Sequence, residues 1–570
     1  MSSESPAPVG RLELTWTNKT LRLLAHEDGR YEWTDRGDHR VAEVRLLHEV
    51  GVVGEEASGS CPDNLLIRGD ALHALSSLAK LPSFSRDYLG KVRLAYLDPP
   101  FNTGQAFEHY DDALEHSVWL TMMRDRLVQV RDLLAHDGSV WVHLDDSEAA
   151  YCRVLMDEIF GRDNFIATVV WETGQGRSND TDISTVQDYL LVYARDRAAW
   201  RPTRNLLPRT PEQTKRYRNP DHDPRGPWLQ GDNGTARSGS DALTYPITTP
   251  GGKVVRPPSG YFWRFSRETF ARALKDDRVY FGVHRNGMPI IKRFLTDVQD
   301  GVVPRTWWPA SEVGSNMSAK RDHLRRLFPD VPAFATPKPE SLLERILTIG
   351  TNPGDLVLDC FLGSGTTATV ATKMGRRWVG VEASAATMET YTVPRLRMVQ
   401  EGQDPWGITE TAGWGGGGRF RMLAVAPSMF EVAGGRVVLA PWATGGALAE
   451  AVCAQGSWEL HDDPPFCGRK GAVRLAVVDG LVTADVALLL AGWLHDGERL
   501  VVYGTAVDPA AQPQLNSSYR GSRVRQVPQS ILADYRRQWR GEAAEWITLG
   551  EGDPEAAVEG DNAVSAGVGP

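Results

Sequence analysis

Cysteine is scarce in this chain: five in 570 residues, at Cys61, Cys152, Cys360, Cys453 and Cys467. The number is odd, the spacing is wide and no Cys-x-x-Cys pair occurs. Neither a disulfide framework nor a zinc site finds support, and a reducing cytoplasm is the expected setting. Long apolar runs are also missing. No stretch of about 18 apolar residues exists, which excludes a membrane-spanning helix. The opening residues Met1 to Pro6 carry neither a basic region nor an apolar core, so no signal peptide is expected. No Gly-x-x-x-x-Gly-Lys-Ser/Thr occurs, so a phosphate loop is absent. His109 and His143 lack ligand spacing and read as ordinary polar positions, and no metal is expected.

Positive charge is in overall deficit, with 63 Lys and Arg against 73 Asp and Glu and a net of -10. Taken whole, that disfavours a polyanionic partner. By region it does not. Residues 201–335 hold 23 Lys and Arg against 13 Asp and Glu. Residues 541–570 hold seven acids and no Lys or Arg, and read as a disordered tail.

The length suggests about three to five domains. Leu12–Trp16, Leu21–Leu24 and Tyr31–Trp33 read as strands of a small antiparallel unit. Gly51 to Asp63 reads as a loose connection. Strands then alternate with helices. Asn64 to Asp70, Val92–Leu97 and Ser139–Leu144 are apolar runs with helical periodicity between them, followed by a strand pair at Phe165–Trp171 and Tyr189–Tyr193. Such alternation predicts a mostly parallel sheet covered by helices. The rhythm stops from about Ala199 to Thr336 and returns with an amphipathic helix at Pro339–Leu347. Gly415 to Gly418 reads as a flexible linker to a separate C-terminal α/β domain.

Two turns carry chemistry. Asp355–Asp359 is a strand, Cys360 to Thr367 is a glycine turn, and Glu382 closes the next strand. Gly363 and Gly365 let the backbone approach a ligand, and the glutamate can accept two hydrogen bonds from ribose hydroxyls. The spacing is not the dinucleotide pattern, so a ligand with a ribose but no pyrophosphate fits better. Alone, the glycines also fit a tight turn with a surface glutamate. The second turn is Asp98-Pro99-Pro100-Phe101, at the end of a buried strand. Its prolines remove two donors and leave the Asp98 and Pro99 carbonyls free. A carboxylate, a rigid carbonyl and an aromatic face converge there. That suits a planar substrate with an exocyclic NH2, whose two N–H bonds point to Asp98 and the Pro99 carbonyl while Phe101 stacks on the ring. Alone, the tetrapeptide also fits a proline-stiffened loop.

Together, Asp98-Pro99-Pro100-Phe101-Asn102-Thr103-Gly104 and the downstream Asp359-Cys360-Phe361-Leu362-Gly363-Ser364-Gly365-Thr366-Thr367 resemble the amino-directed DNA methyltransferases. The order, catalytic motif first, resembles the β group, and within it the modification subunit of type III restriction–modification systems. Ile67–Asp70, His143–Glu148, Lys338–Glu340 and Gly415–Phe420 add to the likeness. The resemblance implies a circularly permuted, Rossmann-like seven-stranded methyltransferase sheet, with the Gly69-Asp70 strand beside the one ending at Glu382. It implies Asp98, Pro99, Pro100 and Phe101 as the catalytic loop. S-adenosylmethionine is implied as cofactor, cradled by Phe361, Gly363, Gly365 and Thr366, with Asp359 near its amino group and Glu382 on its ribose. Asp70 is implied near its adenine and Lys338 near its methionine carboxylate. Cys360 departs from the commoner proline, and Phe101 from the commoner tyrosine.

The implied reaction is methyl transfer to adenine N6 in double-stranded DNA, with the base turned out of the duplex. The alternatives are cytosine N4 and a catalytically silent DNA-binding subunit of a defence complex. The implied layout is an N-terminal β extension (1–58), a catalytic half (59–200), a target-recognition domain (201–335), a cofactor half (336–400), a C-terminal α/β domain (401–540) and the acidic tail (541–570). Basic residues interleaved with aromatics, as in Tyr261-Phe262-Trp263-Arg264-Phe265, suit phosphate contact in 201–335, and the same aromatics suit a small core. The C-terminal part is implied in association with a second copy or with a separate restriction (helicase/nuclease) subunit. Cleavage, where it occurs, comes from another polypeptide.

Overall fold

The computed structural model describes residues 13–25, 31–54, 64–102, 106–107, 110–111, 115–174, 176, 182–229, 234–433 and 436–532. Leu12, Cys61, Thr103, Gly104, His109 and the tail 541–570 lie outside the described residues. The chain divides into two compact units, one of Met1–Asn205 with Arg305–Pro570 and one of Leu206–Pro304. Among the described residues no helix is long and apolar enough to cross a membrane.

In the larger unit the elements that place the site are, in chain order, β1 (Leu47–Val53), β2 (Asn64–Arg68), α1 (Ala71–Lys80), β3 (Val92–Leu97), α2 (His116–Leu133), β4 (Leu134–Leu144), α3 (Ala149–Phe160), β5 (Phe165–Glu172), β6 (Gln187–Ala194), β7 (Trp307–Trp308), α4 (Glu340–Gly350), β8 (Leu356–Asp359), α5 (Thr366–Lys373), β9 (Arg377–Glu382) and β10 (Phe420–Val425). The strands form one ten-stranded sheet in the order β7-β5-β6-β4-β3-β8-β9-β2-β10-β1. Neighbours from β4 through β10 are parallel. β6 runs antiparallel to both β4 and β5. β3 is buried at every position, as a central strand with both faces covered must be, which is why it reads as an unbroken apolar run. α4 starts after Pro339 and turns Leu342, Leu343, Ile346 and Leu347 into the core, the stripe its period predicts.

Seven strands, β2-β9-β8-β3-β4-β6-β5 in space, form the α/β sheet that the resemblance implies, and β2 does lie beside β9. The other three correct the expected layout. β1 joins the sheet antiparallel to β10, so Gly51–Val53 is an edge strand and not a loose connection, and residues 1–58 are not a self-contained extension. The segment ahead of β1 also packs on the main unit: the Trp16 indole donates to Thr121 on α2 (2.8 Å), and Arg124 of α2 donates to the Leu21 carbonyl (2.8 Å). Leu14–Trp16 forms no strand; Arg22–Ala25 and Tyr31–Thr34 do.

β10 likewise places Phe420–Val425 in the main sheet, so the C-terminal domain starts later than 401. Gly415–Gly418 is not a floppy linker. Gly416, Gly417 and Gly418 have φ of +103°, +106° and +96°. A Cβ at Gly416 would lie 2.9 Å from the Gln400 carbonyl, so the glycines serve a tight crossing that feeds β10 into the sheet. Beyond it, Glu459–Asp463, Phe466–Lys470, Val473–Val482, Arg499–Val507 and Arg523–Gln526 form a separate five-stranded sheet with its own core around Val478, Leu490 and Val502.

The smaller unit, Leu206–Pro304, is narrower than the expected 201–335. Arg197–Thr203 is one helix of the larger unit, and β7 pairs with β5, where Trp308 is buried against Trp141 at 6.1 Å. Within the smaller unit, Trp263, Phe265 and Phe270 stack on one another in a core with Tyr245 and Ile247. Those aromatics are therefore core, while Arg264 between them points outward.

Candidate active site

The C-terminal ends of β3, β8 and β9 lie side by side, because β8 pairs in parallel with both β3 and β9. At the end of β3, Asp98 projects a carboxylate that is 20% exposed. Its Oδ2 takes an ion pair from Lys338 Nζ at 2.8 Å. Its Oδ1 is buried and has no hydrogen-bond partner among the described residues. Phe101 is half-buried, and the Lys338 ammonium stands 5.0 Å over its ring. The Pro100 carbonyl accepts from the Trp119 indole at 2.7 Å, which ties the double-proline turn to α2. Asn102 has φ +61° and donates to Glu148 (2.8 Å), so the chain turns sharply after the tetrapeptide.

At the end of β8 the glycine turn wraps around two carboxylates. Asp359 accepts from the Phe361 amide (3.0 Å) and from the Thr367 hydroxyl (2.6 Å). Burial pushes its carboxyl up to about 7, against those hydrogen bonds, and the charges of Asp98 and Glu382 push the same way. Glu382, at the end of β9, accepts from the Gly363 amide and the Ser384 amide, both at 2.8 Å; burial raises it as well. Gly363 and Gly365 have φ of +53° and +82°, and a Cβ at Gly365 would stand 3.3 Å from Thr392. The turn delivers Thr366 as the first residue of α5.

Lys338 joins the two motifs. Its ammonium is on Asp98 while its carbonyl accepts from the Thr366 hydroxyl at 3.4 Å. Asp70 lies one strand over, where the Gly69 amide donates to the Glu382 carbonyl (3.0 Å). Its carboxylate caps α1 through the Leu72 amide (2.7 Å) and pairs with Arg126 (2.7 Å). Burial pushes this carboxyl up, but Arg126 and His73 outweigh it and hold it below its ordinary value. The structure thus gathers Asp98, Phe101, Lys338, Asp359 and Glu382 along one sheet edge, with Asp70 at the adjoining strand end and already doubly bonded.

Two buried groups escaped the sequence reading. His143, fully buried on β4, bonds Tyr96 and Asp188 on the strands flanking it. Its signals in the sequence were an ionisable residue inside the apolar run Val140–Leu144 and its place in the His143–Glu148 stretch. The second is a charge cluster under α5. Lys373 is fully buried and donates to Glu340 (2.9 Å) and Asp404 (2.7 Å). Arg395 donates to Glu340 (3.0 Å), to the Thr366 hydroxyl (2.8 Å) and to the Ser364 carbonyl (3.2 Å). His323, Glu340 and Asp404 have the spacing of metal ligands, but the Lys373 ammonium already binds both carboxylates.

Residues 92–392 match a family model described as DNA methylase. The chain is 31% identical over 431 residues to the "Probable type III restriction-modification enzyme HindVI Mod subunit" of Haemophilus influenzae, covering 66% of this chain and 56% of that protein. It is 33% identical over 341 residues to the type III restriction-modification enzyme StyLTI Mod subunit of Salmonella typhimurium, covering 54% and 49%. Against the type II methyltransferase M.EcaI of Enterobacter cloacae it is 28% identical over 330 residues, covering 54% and 66%. The chain therefore spans between about half and two thirds of the length of these three relatives.

Proposed function

The chain belongs to this DNA methylase family, and from that premise we propose that it transfers a methyl group from S-adenosylmethionine to adenine N6 in double-stranded DNA. The observation that carries the reading is Asp98 Oδ1, a buried carboxylate oxygen at a sheet's C-terminal edge with no hydrogen-bond partner among the described residues. Such an oxygen is costly unless something arrives to donate to it. An exocyclic amino group, presented by a base that stacks on Phe101, would do so. The likeness to type III Mod subunits favours adenine N6 over cytosine N4.

The residues present fit the cofactor. The positive-φ glycines keep the turn open to a ligand, and Glu382 keeps lone pairs for ribose hydroxyls after its two backbone bonds. S-adenosylmethionine supplies an electrophilic methyl group when bound. Phe361, Gly363, Gly365 and Thr366 would cradle it, with Asp359 toward its amino group, Lys338 toward its carboxylate and Asp70 near its adenine. Asp98 and the Pro99 carbonyl would hold the substrate amino group by its two hydrogens, so that the nitrogen lone pair faces the methyl. Lys338 holds the Asp98 carboxylate in place through their 2.8 Å ion pair.

The smaller unit would read the target. It holds 16 Lys and Arg against ten Asp and Glu. Arg225 pairs with Asp223, Lys292 with Asp221 and Asp223, and Arg278 with Asp297. Arg216 and Arg293 make no ion pair among the described residues and line one groove of about 600 Å³ with Arg209 and Tyr217. A phosphate backbone suits such a groove. A separate restriction subunit and a second copy of the chain are proposed partners on the likeness to Mod subunits alone. Asp98→Ala protein should bind S-adenosylmethionine in calorimetry yet transfer no tritiated methyl to unmodified genomic DNA; transfer at the wild-type rate would refute the assignment.

A further inference from the structure

Behind Asp98, strands β3, β4 and β6 bury three polar side chains in a row. Tyr96, His143 and Asp188 are 1%, 0% and 9% exposed. The Tyr96 hydroxyl lies 2.8 Å from His143 Nδ1, and His143 Nε2 lies 3.0 Å from Asp188 Oδ2. An ionised carboxylate only accepts, so Nε2 carries a proton, and Nδ1 of the neutral ring accepts from Tyr96. The same Nδ1 is 3.9 Å from Asp98 Oδ1, the oxygen that has no hydrogen-bond partner. The ring also packs against Phe101 at 5.6 Å and Trp171 at 5.3 Å between centroids. Lys338 engages the far oxygen of Asp98, away from the histidine. A ring with its orientation fixed on both sides thus faces a carboxylate oxygen that has no hydrogen-bond partner among the described residues.

We propose that His143 is the proton acceptor behind Asp98, positioned by Tyr96 and Asp188; this rests on the methyltransferase reading. Attack by the amino nitrogen forms a nitrogen–carbon bond as the carbon–sulfur bond breaks, and the electron pair of that bond goes to sulfur. The nitrogen is then cationic and holds one proton in excess. That proton passes to Asp98 Oδ1 and on to His143 Nδ1, once a shift of about 1 Å closes their gap to hydrogen-bond length. Tyr96 gives up its bond to Nδ1 as this happens. The resulting imidazolium is held between the carboxylates of Asp188 and Asp98, and Asp188, 12% exposed at its side chain, is the exit toward water. His143 acts through Asp98 and is a positioning and relay residue. The nitrogen ends neutral and methylated, and no further reactant is consumed.

The test uses the full chain, unmodified genomic DNA and tritiated S-adenosylmethionine. Single-turnover rates are followed against pH, and cofactor affinity is measured separately by calorimetry. The wild-type rate should fall on the acid side, where the imidazole is protonated in advance. His143→Gln should lose that acid limb, and its plateau should drop by about tenfold or more, with cofactor affinity unchanged. Asp188→Asn should move the limb to lower pH, because the imidazolium loses an anionic partner. A His143→Gln protein with the wild-type limb and plateau would overturn the relay, as would Asp188→Asn with the limb unmoved, which decides alone where His143→Gln does not fold. Wild-type protein that methylates no DNA at any pH would instead overturn the reading on which the relay rests.

Discussion

Asp359 shows how one buried carboxyl ties pH to both stability and ligand binding. Burial raises it to about 7, so the folded chain keeps a proton there that an unfolded chain releases near 3.8. Between those values folding takes up a proton, so this group makes stability fall as pH rises from about 4 to about 7. Thermal unfolding of the cofactor-free protein should show that slope, and Asp359→Asn should flatten it. A bound ammonium would favour the ionised form, so S-adenosylmethionine affinity should rise over the same window and level off above it, as titration calorimetry would read. Which residues were legible in the sequence depended on how local their signal was. Asp98 and Glu382 end apolar strands and sit beside proline or glycine turns, so their place at a ligand edge could be read directly. His143 could not, because Asp188 and Tyr96 reach it only through the pairing of β4 with β6 and β3. Nor could the ion pair of Lys338 with Asp98, which joins two motifs far apart in the chain.

Among the elements, α5 is packed against buried charge. Lys373 on α5 and Arg395 both hold Glu340 on α4, and Arg395 also reaches the Ser364 carbonyl in the glycine turn. Removing one member leaves uncompensated charge in the core. Lys373→Met should therefore lower the unfolding free energy by about 3–5 kcal/mol in denaturant titration, and unchanged stability would contradict the network. In the smaller unit, Arg216→Ala and Arg293→Ala should each weaken DNA binding across sequences. Each should also flatten the salt dependence of binding by about one unit of slope; an unchanged slope would remove these arginines from the backbone contact. Element identity was legible where period and burial agreed, as in β3 and α4. It was misread at Gly415–Gly418, where composition signals flexibility but positive φ and backbone crowding signal a fixed crossing.

At the scale of the molecule, the net charge of -10 conceals a smaller unit in which Lys and Arg outnumber Asp and Glu by 16 to ten. The interrupted βα rhythm was enough to place an insertion between the catalytic and cofactor motifs. Its edges were not legible, because β7 returns to the main sheet with only two residues, too short to carry a period. The added edge strands β1 and β10 were hidden for a related reason, since their pairing partners are some 370 residues apart, as Glu49 and Arg421 are. What the permuted sheet achieves is convergence: two distant motifs, the Asp98 turn and the Gly363–Gly365 turn, meet at one sheet edge, as the proposed reaction requires. The most direct test is mass spectrometry of nucleosides from unmodified genomic DNA after incubation with the protein and S-adenosylmethionine. N6-methyladenine that disappears with Asp98→Ala is the predicted result. N4-methylcytosine would contradict the choice of base, and the absence of any methylated base would contradict the account as a whole.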